Sequence, residues 1–409
     1  MDCDKNAEWQ YCNTYVKYSK QWRKKKRYMR RRPVLAMREG APGWKHSRNA
    51  IGFQQVAEDV VDNHVFLNNA WYAAAWGEEI GFKPFDITIC GERLILFRKE
   101  NGGVAALSGI CPHRFALLGQ GERLPGDEVQ CPYHGLAFGA DGRCVHNPHG
   151  PIPGVVRLDS YVVEERDSIV WLWFGDAEAA DPALLPDYSM LVETPERHVV
   201  RGRLRTNAHF ELITDNLMDL SHVGFLHKNG LGNEAIANGV HRVDTAGTTI
   251  HSNRWCPDGA PSPVWSMMFG GYRDNVDHWL DMRWDAPCNM LLDVGVTPTG
   301  RPRSAGASLF GAHILTPETS TSTHYIWAAS RAFALDGAEL DQGITAAIEQ
   351  AFVVEDKPML EDVQRVMGTR SFNEMRPLIM PFDKGAVLAR RMVDDLRTGR
   401  QRQVPSAAV

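Results

Sequence analysis

The chain of 409 residues lacks the features that define several large classes of protein. Eight cysteines are too few for a disulfide scaffold, and no apolar run is long enough for a membrane span. The first residues lack the apolar core of a signal peptide, and we find no internal repeat or low-complexity segment. With 44% hydrophobic and 23% charged residues, the composition is that of a globular protein. We therefore expect a cytoplasmic protein without a membrane partner, in which paired cysteines bind metal rather than each other.

Basic residues are concentrated at the start of the chain. Residues 1–48 carry 14 Lys or Arg and 4 Asp or Glu, although the whole chain has a net charge of −5. A block of like charge is typical of a solvated tail, but basic runs also bind nucleic acid. Because nothing after the block resembles a nucleic-acid-binding module, we expect no nucleic-acid partner. We interpret residues 1–64 as a basic extension that is disordered or non-native.

Two segments of different character follow the extension. Residues 65–180 contain short strands with frequent turns, which predicts an all-β domain. Residues 181–409 begin with a proline-rich linker and then mix strands with helices, which predicts an α+β domain with an antiparallel sheet. The predicted helices of the second domain cover 210–225, 340–365 and 385–398, and its predicted strands cover 248–255, 264–269, 279–284, 290–296 and 325–332.

Two Cys-His pairs occur in the first of these segments. Cys111-Pro-His113 is followed, after 17 residues, by Cys131-Pro-Tyr-His134. Such a set can bind structural zinc, or a Rieske [2Fe-2S] cluster in which two cysteines bind one iron and two histidines bind the other. Zinc sites usually pair Cys with Cys and His with His, whereas each loop here supplies one of each, which favours the cluster. We interpret three nearby candidates as strand and loop residues rather than further ligands: Cys144, His146 and His149.

A second group of polar residues lies in the first predicted helix of the α+β segment. Asn216, Asp219 and His222 are spaced by three and form a polar stripe on an otherwise apolar stretch. A buried stripe of this kind is costly unless its members have partners. His227 follows five residues after His222, so the helix must distort or end near Gly224 for both to reach one point. Two converging histidines with open coordination positions are typical of the 2-His-1-carboxylate iron(II) site.

The carboxylate of such a site has to come from elsewhere in the chain. Asp356 is the best candidate, because it lies within an apolar helical stretch where a carboxylate has little structural reason to be. Asp362 is the rival candidate, and Asp219 is a weaker one because it lies so near His222. For Glu355 we predict a surface role.

These motifs, in this order, resemble the oxygenase component of Rieske non-haem iron aromatic oxygenases. The resemblance covers about residues 66–396 and is greatest to the vanillate O-demethylase and dicamba monooxygenase subfamily. Leu136 stands where many members have Trp, a departure that does not affect the four Cys and His residues. Further stretches that support the resemblance are 69–72, 131–135, 215–222, 281–284, 313–318, 355–357 and 390–392.

The resemblance implies a role for each candidate residue. The cluster ligands would be Cys111, His113, Cys131 and His134, and the ligands of a mononuclear Fe(II) would be His222, His227 and Asp356. Asp219 would link the two centres, with Asn216 beside the iron ligands, and His313 would lie in the substrate pocket. The family likeness also implies O2 as co-substrate and a head-to-tail homotrimer. A separate flavin and iron–sulfur reductase would pass on electrons from NAD(P)H.

The expected reaction is oxidative O-demethylation of a methoxylated aromatic acid, similar to vanillate, with release of formaldehyde. Two alternatives remain open. The same iron chemistry could hydroxylate an aromatic ring or a methyl group. The chain could also be a Rieske electron-transfer protein without enzymatic activity, whose second motif is only a polar core. Iron content separates the oxygenase from the electron carrier.

Overall fold

The computed structural model describes residues 66–400, except 153, 155, 229 and 336. The extension predicted for residues 1–64 therefore lies outside the described residues. The strands are β1 (Ala70–Trp76), β2 (Phe85–Ile89), β3 (Glu92–Arg98), β4 (Val104–Ser108), β5 (Glu122–Leu124), β6 (Glu128–Gln130), β7 (Ala137–Gly139), β8 (Cys144–His146), β9 (Val163–Arg166), β10 (Ile169–Phe174), β11 (His198–Thr206), β12 (Val240–Ala246), β13 (Thr249–Gly259), β14 (Val276–Asp285), β15 (Asn289–Pro298), β16 (Ala307–Thr319) and β17 (Ser322–Arg331).

The helices belong mainly to the second half of the chain. They are α1 (Phe210–Met218), α2 (Val223–Leu226), α3 (Glu234–Ala237), α4 (Pro263–Met268), α5 (Ala338–Glu349), α6 (Lys357–Met367), α7 (Phe372–Met375) and α8 (Lys384–Arg397). A 3-10 turn over Leu220–His222 joins α1 to α2, and a π-helix over Gln350–Asp356 joins α5 to α6. No helix in the described residues is long and apolar enough to cross a membrane.

Three small antiparallel sheets form the first part of the structure. Their strand orders are β1-β10-β9, β2-β3-β4 and β5-β6-β7-β8. Strand β10 is an unbroken apolar run whose six side chains are all buried, and it lies between β1 and β9. The loop that carries Cys131 and His134 connects β6 to β7 in the four-stranded sheet, so both ends of that loop are held by paired strands.

One antiparallel sheet of seven strands forms the centre of the second part. Its order is β11-β17-β16-β15-β14-β13-β12, so strands that follow each other in the chain from β12 to β17 are neighbours in the sheet. Helices α1 and α8 pack against each other, and α8 also packs against β13. The buried apolar side chains of the sheet and of these helices belong to one continuous core.

Aromatic side chains join the small sheets to the large one. Trp71 and Trp171 pack in a buried cluster with Leu291 and Ile314 of the large sheet. Burying an apolar side chain of this size stabilises the fold by about 1.5–3 kcal/mol, so the cluster is a substantial contribution to the contact. A hydrogen bond adds to the contact between the sheets, since the side-chain hydroxyl of Thr316 donates to the main-chain carbonyl of Ala73 at 2.6 Å.

The predicted fold class is confirmed, but several elements differ from the prediction. Residues 264–269 form helix α4 instead of a strand, because Pro263 is suited to the first turn of a helix and Trp265 and Met268, three residues apart, point to the same buried side. The sequence analysis also missed β11, β12 and β16. The proposed boundary near residue 180 falls between β10 and β11, and its position stays a prediction.

Candidate active site

The predicted helix over 210–225 is broken at Asp219. Helix α1 ends at Met218, and Asp219 adopts an extended conformation with φ −112° and ψ 91°. Its carboxylate accepts a hydrogen bond from the main-chain amide of Ser221 at 2.9 Å, which caps the turn that follows. The break was expected near Gly224, and it comes earlier because Asp219 can satisfy the free amide of the next turn. As a result, the rings of His222 and His227 come to a centroid distance of 5.2 Å.

An irregular helix also positions the candidate carboxylate. In the π-helix, the amide of Lys357 donates to the carbonyl of Phe352, five residues earlier, so each turn holds one extra residue. Pro358 follows at once and has no amide to donate to the carbonyl four residues before it, which loosens the preceding turn. The wider turn places Asp356 among the buried residues that face His222 and His227.

His222, His227 and Asp356 converge on one point. Each offers one donor atom, and these atoms all lie within 4.8 Å of one another; no other His, Cys, Asp or Glu group in the described residues does so. Nε2 of His227 lies 3.2 Å from the Asp356 carboxylate, and Nε2 of His222 lies 3.7 Å from it. Two imidazoles and one carboxylate in this arrangement are a donor set that suits non-haem iron(II). The predicted site residues are thus brought together.

Neighbouring groups orient each of the three donors. Nδ1 of His222 donates to the carbonyl of Asp219 at 2.5 Å, and Nδ1 of His227 donates to the carboxylate of Glu355 at 2.6 Å. Both contacts leave Nε2 free to face a metal ion, which is the usual role of such outer partners. The side-chain amide of Asn216 donates to Asp356 at 3.1 Å.

The surface role predicted for Glu355 is wrong. Its side chain is 19% exposed and contacts His227, because the π-helix turns it inward. Burial alone would lower the pKa of His227, but the carboxylates of Asp356 and Glu355 together raise it. The rival candidate Asp362 is exposed and pairs with Arg365, so it is not part of the donor set.

The two Cys-His pairs lie in loops of closely similar construction. The amide of Cys111 donates to the carbonyl of Ala116, and the amide of Cys131 donates to that of Leu136. In each loop a residue with positive φ closes the turn, Phe115 at 58° and Gly135 at 73°. Both cysteines are buried, whereas the histidine rings lie at the outer side of the loops, with a centroid distance of 4.5 Å between them.

The arrangement of these four donors fits a two-iron cluster better than a single zinc ion. A tetrahedral ion needs all four ligand atoms close together, but among the residues that the structure describes no three of these donors share one 4.8 Å group. Instead the two thiols form one pair and the two imidazoles form the other. Burial raises the pKa of the Cys111 thiol to about 11, because a buried thiolate without a partner is unfavourable. Binding to iron as a thiolate would remove this penalty. Cys144 and His146 lie in β8 and His149 in the loop after it; the Cys144 thiol and the His149 ring contact main-chain carbonyls.

Comparison with known proteins extends over both regions. Residues 70–158 match the Rieske [2Fe-2S] domain, and residues 206–399 match the vanillate O-demethylase oxygenase C-terminal domain. The chain is 41% identical over 333 residues to the oxygenase component of chloroacetanilide N-alkylformylase from Rhizorhabdus wittichii, covering 81% of this chain and 95% of the relative. The chain belongs to the Rieske non-haem iron oxygenases. Its Rieske domain is of the [2Fe-2S] type, and a crystal structure of the related dicamba monooxygenase contains non-haem iron and dicamba.

Two further relatives place the oxygenase in the predicted subfamily. It is 38% identical to the dicamba O-demethylase oxygenase component of Stenotrophomonas maltophilia, covering 81% of this chain and 98% of the relative. A crystal structure of dicamba monooxygenase bound to 3,6-dichlorosalicylic acid superimposes with a TM-score of 0.78 at 38% identity, over 81% of this chain and 98% of that one. The predicted resemblance is therefore confirmed.

A buried pocket of the oxygenase opens directly in front of the three donors. Its cavity volume is about 120 Å³, and its walls come from α1, α4, α5, the π-helix and strands β14 to β17. His313 is one of the lining residues, and its predicted contact with substrate stays a prediction. Its Nδ1 lies 2.6 Å from the hydroxyl of Tyr325, whose ring stacks on Phe352 at a centroid distance of 5.4 Å. Burial lowers the pKa of His313 to about 4, so its imidazole is neutral at pH 7.

Two polar residues of the site were not identified from the sequence. Glu355 stands next to the stronger candidate Asp356, and a spacing argument cannot tell which of two adjacent carboxylates faces a histidine. His278 lies in the pocket wall on β14. The alternation of β14 between buried and half-buried positions could have placed it inside, but alternation does not reveal that a pocket lies there.

Proposed function

We propose that this oxygenase component catalyses oxidative removal of an alkyl group from oxygen or nitrogen on an aromatic substrate. O-demethylation of a methoxylated aromatic is the leading reaction, and formaldehyde is its second product. The observation that carries the proposal is that the three converging donors open onto a pocket lined almost entirely by apolar side chains. Relatives named N-alkylformylase and O-demethylase support the same class of reaction.

We assign the iron ligands to His222, His227 and Asp356. When bound there, iron supplies the activation of O2 at the coordination positions that the three residues leave open. The surrounding residues hold the donors in place: Glu355 orients His227, and Asn216 orients Asp356. The apolar pocket excludes water from the reacting alkyl group.

We assign the cluster ligands to Cys111, His113, Cys131 and His134. Their loops end in exposed side chains, since Phe115 is 77% exposed and Tyr133 is 64% exposed. In the described part of one chain, no hydrogen bond or ion pair joins these loops to Asp219 or to the iron ligands. We therefore propose a cytoplasmic head-to-tail homotrimer in which the cluster loops of one subunit contact Asp219 of its neighbour. A flavin and iron–sulfur reductase would supply the electrons from NAD(P)H.

The proposal is tested by turnover with a surrogate reductase, NADH and O2. Substrates would include methoxybenzoates, methoxybenzamides and N-alkyl anilides, and the readouts would be formaldehyde and the dealkylated aromatic. We expect stoichiometric formaldehyde from at least one class, together with the phenol from a methoxy substrate or the secondary anilide from an N-methyl anilide. A His222→Ala variant is the matched control, because it keeps the cluster loops and should release neither product. NADH consumption without dealkylated product from any class would contradict the proposal.

Hydroxylation is the second candidate reaction. It is favoured by a relative named as the iron–sulfur subunit of toluene-4-sulfonate monooxygenase, from Comamonas testosteroni, which is 34% identical over 346 residues. The same assay decides between the two reactions, because hydroxylation of a ring or methyl group gives an oxygenated aromatic and no formaldehyde.

A further inference from the structure

The pocket in front of the iron ligands has no cationic side chain among its described lining residues. Among its lining residues, all within the described chain, there is no Lys or Arg, and the only charged side chain is Asp356. Its remaining polar groups are histidines and two tryptophans. The carboxylate of an aromatic acid bound at the end of the pocket away from the iron ligands would be buried without a counterion, which is strongly unfavourable.

Two imidazoles in the pocket wall have a nitrogen without a partner. Nε2 of His278 and Nε2 of His313 are buried, and neither makes a hydrogen bond. His313 is anchored through its other nitrogen by Tyr325. The side chain of His278 makes no hydrogen bond within the described residues, and its ring packs edge-on to Trp265 at a centroid distance of 5.8 Å. An unpaired buried polar atom is costly, so a ligand that pairs with it gains binding energy.

The two histidines lie at opposite ends of the pocket. His278 on β14 pairs with Val296 of β15, whereas His313 on β16 aligns with Met290 of the same strand. These two positions on β15 are roughly 20 Å apart along the strand. His313 packs against Phe352 of the π-helix, at a centroid distance of 5.4 Å, so it lies at the end of the iron ligands. His278 therefore lies at the far end.

Both imidazoles are uncharged at neutral pH. Burial lowers the pKa of His278 to about 3, as it lowers that of His313 to about 4. A neutral imidazole can donate one hydrogen bond or accept one, but it supplies no positive charge for an anion. The polar end of the pocket is thus suited to a carbonyl, amide or ether.

We propose that His278 is a specificity-determining residue that hydrogen-bonds an uncharged polar group of the substrate. The pocket then takes neutral aromatic substrates, such as amides and ethers, in preference to aromatic carboxylates. This inference rests on the proposed function, because it names the substrate class of the same pocket. The reacting alkyl group lies beside the iron ligands, and the polar group lies beside His278.

The test uses two ligands of nearly the same shape that are long enough to extend from the iron ligands toward His278, 4′-methoxybiphenyl-4-carboxamide and 4′-methoxybiphenyl-4-carboxylate. Their affinities for the holoenzyme are measured by calorimetry without O2, and kcat and KM are then measured from formaldehyde release. We expect the amide to bind at least about tenfold more tightly than the acid. His278→Leu should raise KM for the amide about tenfold with little change in kcat, whereas His278→Gln, which keeps a donor and an acceptor, should retain most of the affinity. Leu280→Met, on the same strand, is the control for altered packing and should affect both ligands alike.

Each outcome decides the proposal. Binding of the carboxylate as tightly as the carboxamide overturns the neutral substrate class. An unchanged amide affinity in His278→Leu, or an equal loss for both ligands, assigns His278 to core packing and overturns its role in specificity. If neither ligand yields formaldehyde with both metal sites loaded, the proposed dealkylation fails, while the calorimetric comparison still decides the inference about His278.

Discussion

The two regions that we propose to bind metal in this oxygenase are built in opposite ways. In the cluster loops, each Cys-His pair lies within one short turn, main-chain hydrogen bonds hold both turns in the same shape, and the histidines face outward. In the iron site, the donors come from two helical segments that are far apart in the chain, and each segment departs from a regular α-helix. A turn can therefore specify a metal site through local residue spacing alone. A buried site between helices needs an irregular backbone to bring its donor atoms together.

The largest effect is expected from removing a proposed cluster ligand, which should empty one metal-binding region and leave the other loaded. Cys131→Ser should abolish the [2Fe-2S] cluster and turnover, because serine does not replace a thiolate ligand of the cluster. Since the iron site belongs to other elements, we expect about one iron per chain to remain. Iron and labile sulfide analysis, with the visible spectrum, would check this. Loss of all iron in a variant that is still folded by circular dichroism would show that the regions are not independent.

Asp219 tests the connection between the regions. Asp219→Asn keeps the size of the side chain and an oxygen that can accept from Ser221, so both metal sites should stay loaded. We expect roughly 100-fold slower turnover, because the carboxylate that links the centres is lost. The diagnostic measurement is the rate at which the prereduced cluster is oxidised in a single turnover with O2 and substrate. Normal turnover with both centres loaded would eliminate the linking role.

A substitution at Glu355 tests whether the proposed iron site depends on residues that contact its ligands without binding the metal. Glu355→Gln should weaken iron binding about 10–100-fold. The change removes the negative charge that accepts the hydrogen bond from Nδ1 of His227 and keeps Nε2 of that ring free for the metal. The absorption of the cluster should not change. Asp362→Asn, a carboxylate change on the exposed side of α6, is the matched control and should leave iron affinity as it is. Equal affinities in both variants would contradict the role of Glu355.

The smallest effect is expected on the stability of the fold, from substitutions at equivalent positions of the two cluster loops. Gly135→Ala should destabilise the fold by about 1 kcal/mol, because φ is 73° and an added Cβ would lie 3.1 Å from the side chain of Pro148. Phe115 already holds the equivalent position with φ 58°, so Phe115→Gly should be tolerated without this loss. Chemical denaturation of both variants checks the difference. A stabilising Gly135→Ala would show that the strain argument is wrong.

The same contrast explains what could be predicted from the sequence. The four cluster residues could be named from spacing, because Cys-x-His and Cys-x-x-His act within one turn. The pairing of His222 with His227 required a break in the helix, and spacing indicated that a break must occur but put it near Gly224 instead of Asp219. The break depends on a side chain capping the next turn, which helical periodicity does not show.

The remaining errors have related physical causes. Glu355 faces inward because it lies in the π-helix. Regular helical periodicity cannot predict the one-residue change in register that a π-helix introduces. Strand 264–269 was predicted from a run of Val, Trp, Phe and Met, but Pro263 and the tertiary contacts of Trp265 make it a helix. His278 acquires its significance only from the pocket, which is formed by strands and helices that the sequence does not bring together.

Metal analysis of the wild type and of Asp356→Ala tests the central claim most directly. The account predicts about three irons and two labile sulfides per wild-type chain, two irons from the cluster and one held by His222, His227 and Asp356. In Asp356→Ala it predicts about two irons, with the absorption of the cluster unchanged. Zinc in place of iron, or two irons in both proteins, would contradict the account, because the three converging donors would then not be an iron site.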